Sequence, residues 1–125
     1  MIPEKEWEWF GLSGHFICGQ WCRFHMATKV GEYWISTVGL MVSPSNSGGS
    51  EQTERKYLKN NPLGDDIGCN RKFETMVFKV SGVCSCGCGQ PTFNPTQIDF
   101  EGYNETEEAR EGHMKMCYKY AKEQK

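Results

Sequence analysis

Three of the seven cysteines of this chain fall within five positions: Cys84, Cys86 and Cys88, in the stretch GVCSCGCGQP. Thiolates at alternate positions of a Gly-rich turn converge on one metal ion at little entropic cost, because the loop they close is short. A second pair lies further on. His113 and Cys117 are one helical turn apart, so on a helix they share a face. Zinc takes four Cys or His ligands in a tetrahedron. The expectation is one Cys3His zinc site built from four of Cys84, Cys86, Cys88, His113 and Cys117. Cys86 and Cys88 are preferred on the turn, and Cys84 can replace Cys86. Considered alone, His113 and Cys117 read as core residues of an apolar helix face; only the turn makes ligands of them. Four protein ligands leave no place for water, so this site is structural. Structural zinc contributes about 10–16 kcal/mol, against a net domain stability of roughly 5–15 kcal/mol. His113→Ala or Cys117→Ala is therefore expected to release the metal and loosen the whole fold.

A second cluster, His15, Cys18, Cys22 and His25, precedes these, and Cys69 in a Gly-Cys-Asn turn could complete a set. On a helix the four would share a face, but Gly14, Gly19 and the β-rich sequence after Cys22 argue against one. A second zinc site here stands open beside the plainer reading: buried apolar cysteines and hydrogen-bonding histidines. A three-ligand zinc open to water in this cluster is the best enzymatic option. Other catalytic patterns are missing: H-E-x-x-H, the deaminase H-x-E signature, a P-loop and a G-x-S-x-G elbow. Cys22 and His25 are a conceivable nucleophile and base, but three apart in a strand they point to opposite faces, which argues against that role. Asp65 and Asp66 read as solvated loop acids. The balance leans away from an enzyme.

The elements that must position these residues follow from pattern. CRFHMATKVGEYWISTVG reads as two strands around a turn at Val30-Gly31-Glu32, with His15 to Cys18 a short strand before them. Gln52 to Asn60 reads as a short helix stopped by Asn61-Pro62 and Gly64. Lys72 to Ser81 reads as a strand with Phe73, Val77 and Lys79 on one face, and Ile98 to Tyr103 as another. Glu105 to Lys122 is the one convincing helix, capped by Asn104, with Ala109, His113, Met116, Cys117 and Tyr120 on its apolar side. The fold class is α+β: a small antiparallel sheet with a C-terminal helix, zinc-stapled. Residues 1–125 make a single domain, with a flexible loop at about 42–53 where apolar character is lost. Hydrophobic residues at 38% exclude a disordered chain. A net charge of −2 disfavours a zinc-finger nucleic-acid binder, which needs a basic surplus. The lysines at 115, 119, 122 and 125 read as a solvated helix face. No apolar run is long enough for a membrane span, and the start, MIPEKEWEWF, carries no targeting pattern. A cytoplasmic protein is expected, its cysteines metal-bound or buried rather than paired. Trp7, Trp9, Phe10 and Trp21 either cap the core or form a binding surface.

WFGLSGHFICGQWCRFH, TKVGEYWISTVG, IGCNRKFETMVF, CGCGQP and GHMKMC together resemble a group of small bacteriophage- and prophage-encoded proteins. The resemblance covers most of the chain outside the 42–53 loop. It implies a bacterial cytosol and a host protein as partner. Small phage accessory proteins are often stoichiometric inhibitors of host machinery or defence systems, anti-CRISPR proteins among them. The expected function is thus a zinc-stabilised, non-enzymatic binder and inhibitor of a host protein. The alternatives are a metal-dependent enzyme using the His15–His25 cluster and a nucleic-acid binder. The oligomeric state is not readable from the chain.

Overall fold

A computed structural model describes residues 2–10, 22–42, 51–67 and 70–124. A 3-10 turn at Glu4–Glu6 leads into β1 (Glu8–Trp9). The two strands expected around the Val30-Gly31-Glu32 turn are β2 (Cys22–Val30) and β3 (Tyr33–Met41). Helix α1 (Glu51–Asn60) follows, then β4 (Phe73–Val83), β5 (Pro91–Phe93), β6 (Asp99–Tyr103) and helix α2 (Thr106–Glu123). The strands form one six-stranded sheet in the order β1-β2-β3-β4-β5, with β6 also on β4. Every strand pairing among the described residues is antiparallel. The protein is therefore α+β with a C-terminal helix, as expected. No helix among the described residues is long and apolar enough to cross a membrane.

β4 is the spine of the sheet. One edge pairs with β3 along most of its length. The other edge is shared: its first half pairs with β6, and its last residues pair with β5 across a register shift between Val80 and Gly82. The period-2 reading of β4 holds, with Phe73 and Val77 fully buried on the helix side. That face receives α2, whose Met116, Cys117, Tyr120 and Ala121 pack on Val30, Ile35 and Val77. The opposite face is also covered. Ala27, Trp34 and Phe78 form a second cluster beneath Phe10, Met76, Val80 and Phe93. A third, of Phe73, Tyr103 and Ala109, closes the end near Phe24, Leu40 and Leu63.

Two expectations are corrected in detail, and two further points are added. The cap of α2 is Glu105, in extended backbone and without a side-chain hydrogen bond, rather than Asn104. Val42, expected at the start of a flexible loop, is buried, and Glu51–Thr53 at its end already belong to α1; residues 43–50 lie outside the described set. β5 was not foreseen, being three residues long and opened by a proline. The four early aromatics do not act alike: Trp7 is core, Trp9 is 51% exposed and Phe10 packs on the second cluster, while Trp21 lies outside the described residues. The expected strand at His15–Cys18 also lies outside them.

The β2–β3 turn is locked from an unexpected side. Gln124 Nε2 donates to the Val30 carbonyl at 2.8 Å and the Glu32 N–H donates to Gln124 Oε1 at 2.8 Å. Gly31 has φ +60, and a Cβ there would fall 2.0 Å from Gln124 Oε1 and 2.2 Å from Ile2 Cδ1. Gly31→Ala is expected to cost about 1–3 kcal/mol, from left-handed backbone strain plus displacement of Gln124. Urea unfolding checks this. An unchanged midpoint would mean that the turn and the C-terminus of α2 are not tied.

Candidate metal centre

β4 runs out at Val83 and the chain returns as β5 at Pro91. Between them lies the cysteine turn, the tip of a β-hairpin. The Cys84 N–H donates to the Gln90 carbonyl at 2.9 Å and closes the loop at its base. Gly87 (φ +87) and Gly89 (φ +78) adopt the left-handed backbone that curls the loop back. The result brings three thiols together. Sγ of Cys84, Cys86 and Cys88 all lie within 4.8 Å of one another. Cys84 and Cys86 are in hydrogen-bond contact at 3.1 Å. Cys84 is half-buried, and Cys86 and Cys88 are exposed.

The thiols polarise one another. The Cys86 backbone N–H, and then the Cys86 and Cys88 thiols, hold the Cys84 pKa below the ordinary thiol value. Its contacts with the Cys84 and Cys88 thiols push Cys86 up. Such a cluster loses its first proton readily and the next with more difficulty unless a cation is present. Beside it, Gly82, Val83, Gly89 and Pro91 wall a shallow groove of about 240 Å³ whose far side is Glu8, Phe10 and Lys29.

The helix-borne half of the expected site is elsewhere. His113 and Cys117 do lie on the same face of α2, but that face is pressed onto the sheet and both residues are fully buried. Both ring nitrogens of His113 are engaged: Nε2 with Thr28 Oγ1 at 2.8 Å and Nδ1 with Thr37 Oγ1 at 2.7 Å. Thr37 continues to Thr75 at 2.6 Å, and Cys117 is hydrogen-bonded to Thr28. Burial lowers the His113 pKa to about 4 and raises that of Cys117 to about 12. A neutral imidazole with both nitrogens taken and a thiol held protonated are poor zinc ligands. The expected Cys3His site therefore does not assemble. Among the described residues, the group that could hold a metal ion is Cys84, Cys86 and Cys88. The threonines of this network were missed. Their signal was present in Thr28, Thr37 and Thr75, polar residues that share a strand face with the buried apolar residues two positions away, Val30, Ile35 and Val77.

Of the second cluster, His15, Cys18 and Cys69 lie outside the described residues. Cys22 is buried and His25 half-buried. They lie in β2 three residues apart, and so on opposite faces of the sheet. Asp65 accepts a hydrogen bond from Tyr57, and Asp66 pairs with Lys72 at 2.9 Å. Lys115, Lys119 and Lys122 are exposed on α2, Lys119 paired with Asp99 at 2.7 Å. Comparison with protein-family models, curated proteins and solved structures found no match to this chain.

Proposed function

We propose that this protein is a non-enzymatic metal-binding accessory protein whose Cys84–Cys88 loop takes one zinc ion and which acts by binding another protein. The observation that carries the metal reading is the convergence of three thiol sulfurs within 4.8 Å at the tip of a closed hairpin. A zinc ion bound to thiolates at about 2.3 Å needs sulfurs roughly 3.8 Å apart, so small side-chain rotations suffice. Zinc here holds the hairpin loop rather than joining α2 to it, because the three core clusters contain none of these cysteines. The likeness to phage-encoded proteins supports a host protein as the partner, with inhibition as the outcome. Exposed Trp9 and Val83, the latter next to the loop, are apolar groups a partner would cover.

Zinc titration of the full chain against a competing chelator, with native mass spectrometry, tests this. One zinc per chain is expected. Cys84→Ser, Cys86→Ser and Cys88→Ser should each weaken binding by about a hundredfold or more, since losing a direct ligand costs at least what losing an outer-shell partner does. Circular dichroism should barely change on chelation. Absence of zinc binding, or binding that survives replacement of all three cysteines, would reject the metal reading. Affinity should fall as pH drops, because protons compete for the thiolates. The partner reading requires a stoichiometric complex with an identified bacterial protein, weakened by Trp9→Ala or Val83→Ala.

A further inference from the structure

The loop that gathers three thiols also places two of them in bonding range of each other. Cys84 Sγ and Cys86 Sγ are 3.1 Å apart, and Cys88 Sγ lies within 4.8 Å of both. Cys86 and Cys88 are open to solvent, whereas Cys22 and Cys117 are fully buried and out of reach of a dissolved reagent. The loop is tied at its base by the Cys84–Gln90 backbone hydrogen bond, so it holds the sulfurs together whether or not a metal is bound.

We propose that Cys84 and Cys86 form a site of reversible thiol–disulfide exchange with low-molecular-weight disulfides, in competition with metal binding on the same loop. The exposed Cys86 thiolate attacks one sulfur of the small disulfide. The small S–S bond breaks, a mixed disulfide forms on Cys86, and the first small thiolate leaves and takes a proton from water. The Cys84 thiolate then attacks Cys86 Sγ. The Cys84–Cys86 bond forms, the mixed disulfide breaks, and the second small thiolate leaves and is protonated. Two electrons pass from the cysteine pair to the small disulfide, and the two protons the cysteines gave up are balanced on the two small thiols. Excess small thiol runs the sequence backwards. Oxidation removes two of the three sulfur ligands, so a bound metal ion is released. Only this last consequence rests on the metal reading.

The test uses the full chain, metal-free and zinc-loaded, incubated with glutathione disulfide, alkylated and digested with trypsin. Residues 80–110 form one tryptic peptide holding Cys84, Cys86 and Cys88 and no other cysteine. The expected product is that peptide about 2 Da lighter, free of glutathione and alkylated only at Cys88. Reduced glutathione in excess should restore three free thiols, and the loaded protein should release one zinc per disulfide. Cys88→Ser should still form the bond at a rate within about threefold, and Cys84→Ser should stop at the mixed disulfide on Cys86. Persistent glutathione on the wild-type peptide, three alkylated thiols, or a bond that includes Cys88 would each overturn the proposal. If the disulfide forms but zinc never binds, the metal reading fails and the exchange stands. If zinc binds but the metal-free thiols stay reduced, the exchange fails and the metal reading stands.

Discussion

His113→Ala is expected to lower the unfolding free energy by about 3–5 kcal/mol while leaving unchanged the zinc stoichiometry proposed for the Cys84–Cys88 loop. The side chain is fully buried between α2 and the sheet. Its removal opens a cavity and strips from Thr28 and Thr37 the buried hydrogen bonds they make to the ring, leaving Thr28 only its contact with Cys117 and Thr37 only its bond to Thr75. The same residue makes stability depend on pH. Its pKa is 6.5 when exposed and about 4 in the fold, because burial disfavours the imidazolium. Between these values the unfolded chain binds the extra proton and the folded chain does not. Stability from this group is therefore full above pH 6.5 and declines as pH falls towards 4. At about 1.4 kcal/mol per pH unit the loss is about 3 kcal/mol. Glu74, buried on the other face, has its pKa raised by burial and acts in the opposite direction at the acid end. The difference between wild type and His113→Gln isolates the histidine. Urea unfolding at pH 7 and pH 4.5 reads both effects. Equal pH slopes in wild type and variant would reject the burial argument, and loss of zinc in His113→Ala would restore the ligand role first expected of it.

Trp34→Ala should cost about 3–5 kcal/mol and also loosen the Cys84–Cys88 loop. Trp34 is fully buried in β3 on the face away from α2. Its ring lies 5.0 Å from that of Phe10 and stacks on that of Phe93 at 6.0 Å, while Phe93 stacks on Phe78 at 4.7 Å. Truncating a buried tryptophan to alanine removes this contact area and leaves a void that backbone strands cannot collapse into. Phe93 belongs to β5, the strand that leaves the cysteine loop. Without Trp34 that strand loses one of the two rings that Phe93 stacks on, and the zinc affinity proposed for the loop should drop by about three- to tenfold as the loop pays more to order. Trp34→Phe should recover most of the affinity and part of the stability. A cost below about 1 kcal/mol would show that the second cluster is not a core.

Much of the frame was legible because it rests on short-range rules. The β2–β3 hairpin announced itself through β-formers around Gly31, β4 through alternation, and α2 through an apolar face at helical spacing. The three cysteines converge because they fall within five positions, so local backbone alone brings them together. What the sequence determined is thus the α+β class and the thiol cluster. The destination of His113 and Cys117 was decided only by the tertiary structure. Helical spacing says that two residues share a face but not what that face meets. Here it meets Thr28, Thr37 and Thr75, placed there by strand register over 76 or more residues of separation from His113 to Thr37 and Thr28. The long-range packing of helix on sheet turned a pair of candidate ligands into a buried hydrogen-bonded network, and left Cys84, Cys86 and Cys88 as the group that could hold a metal ion.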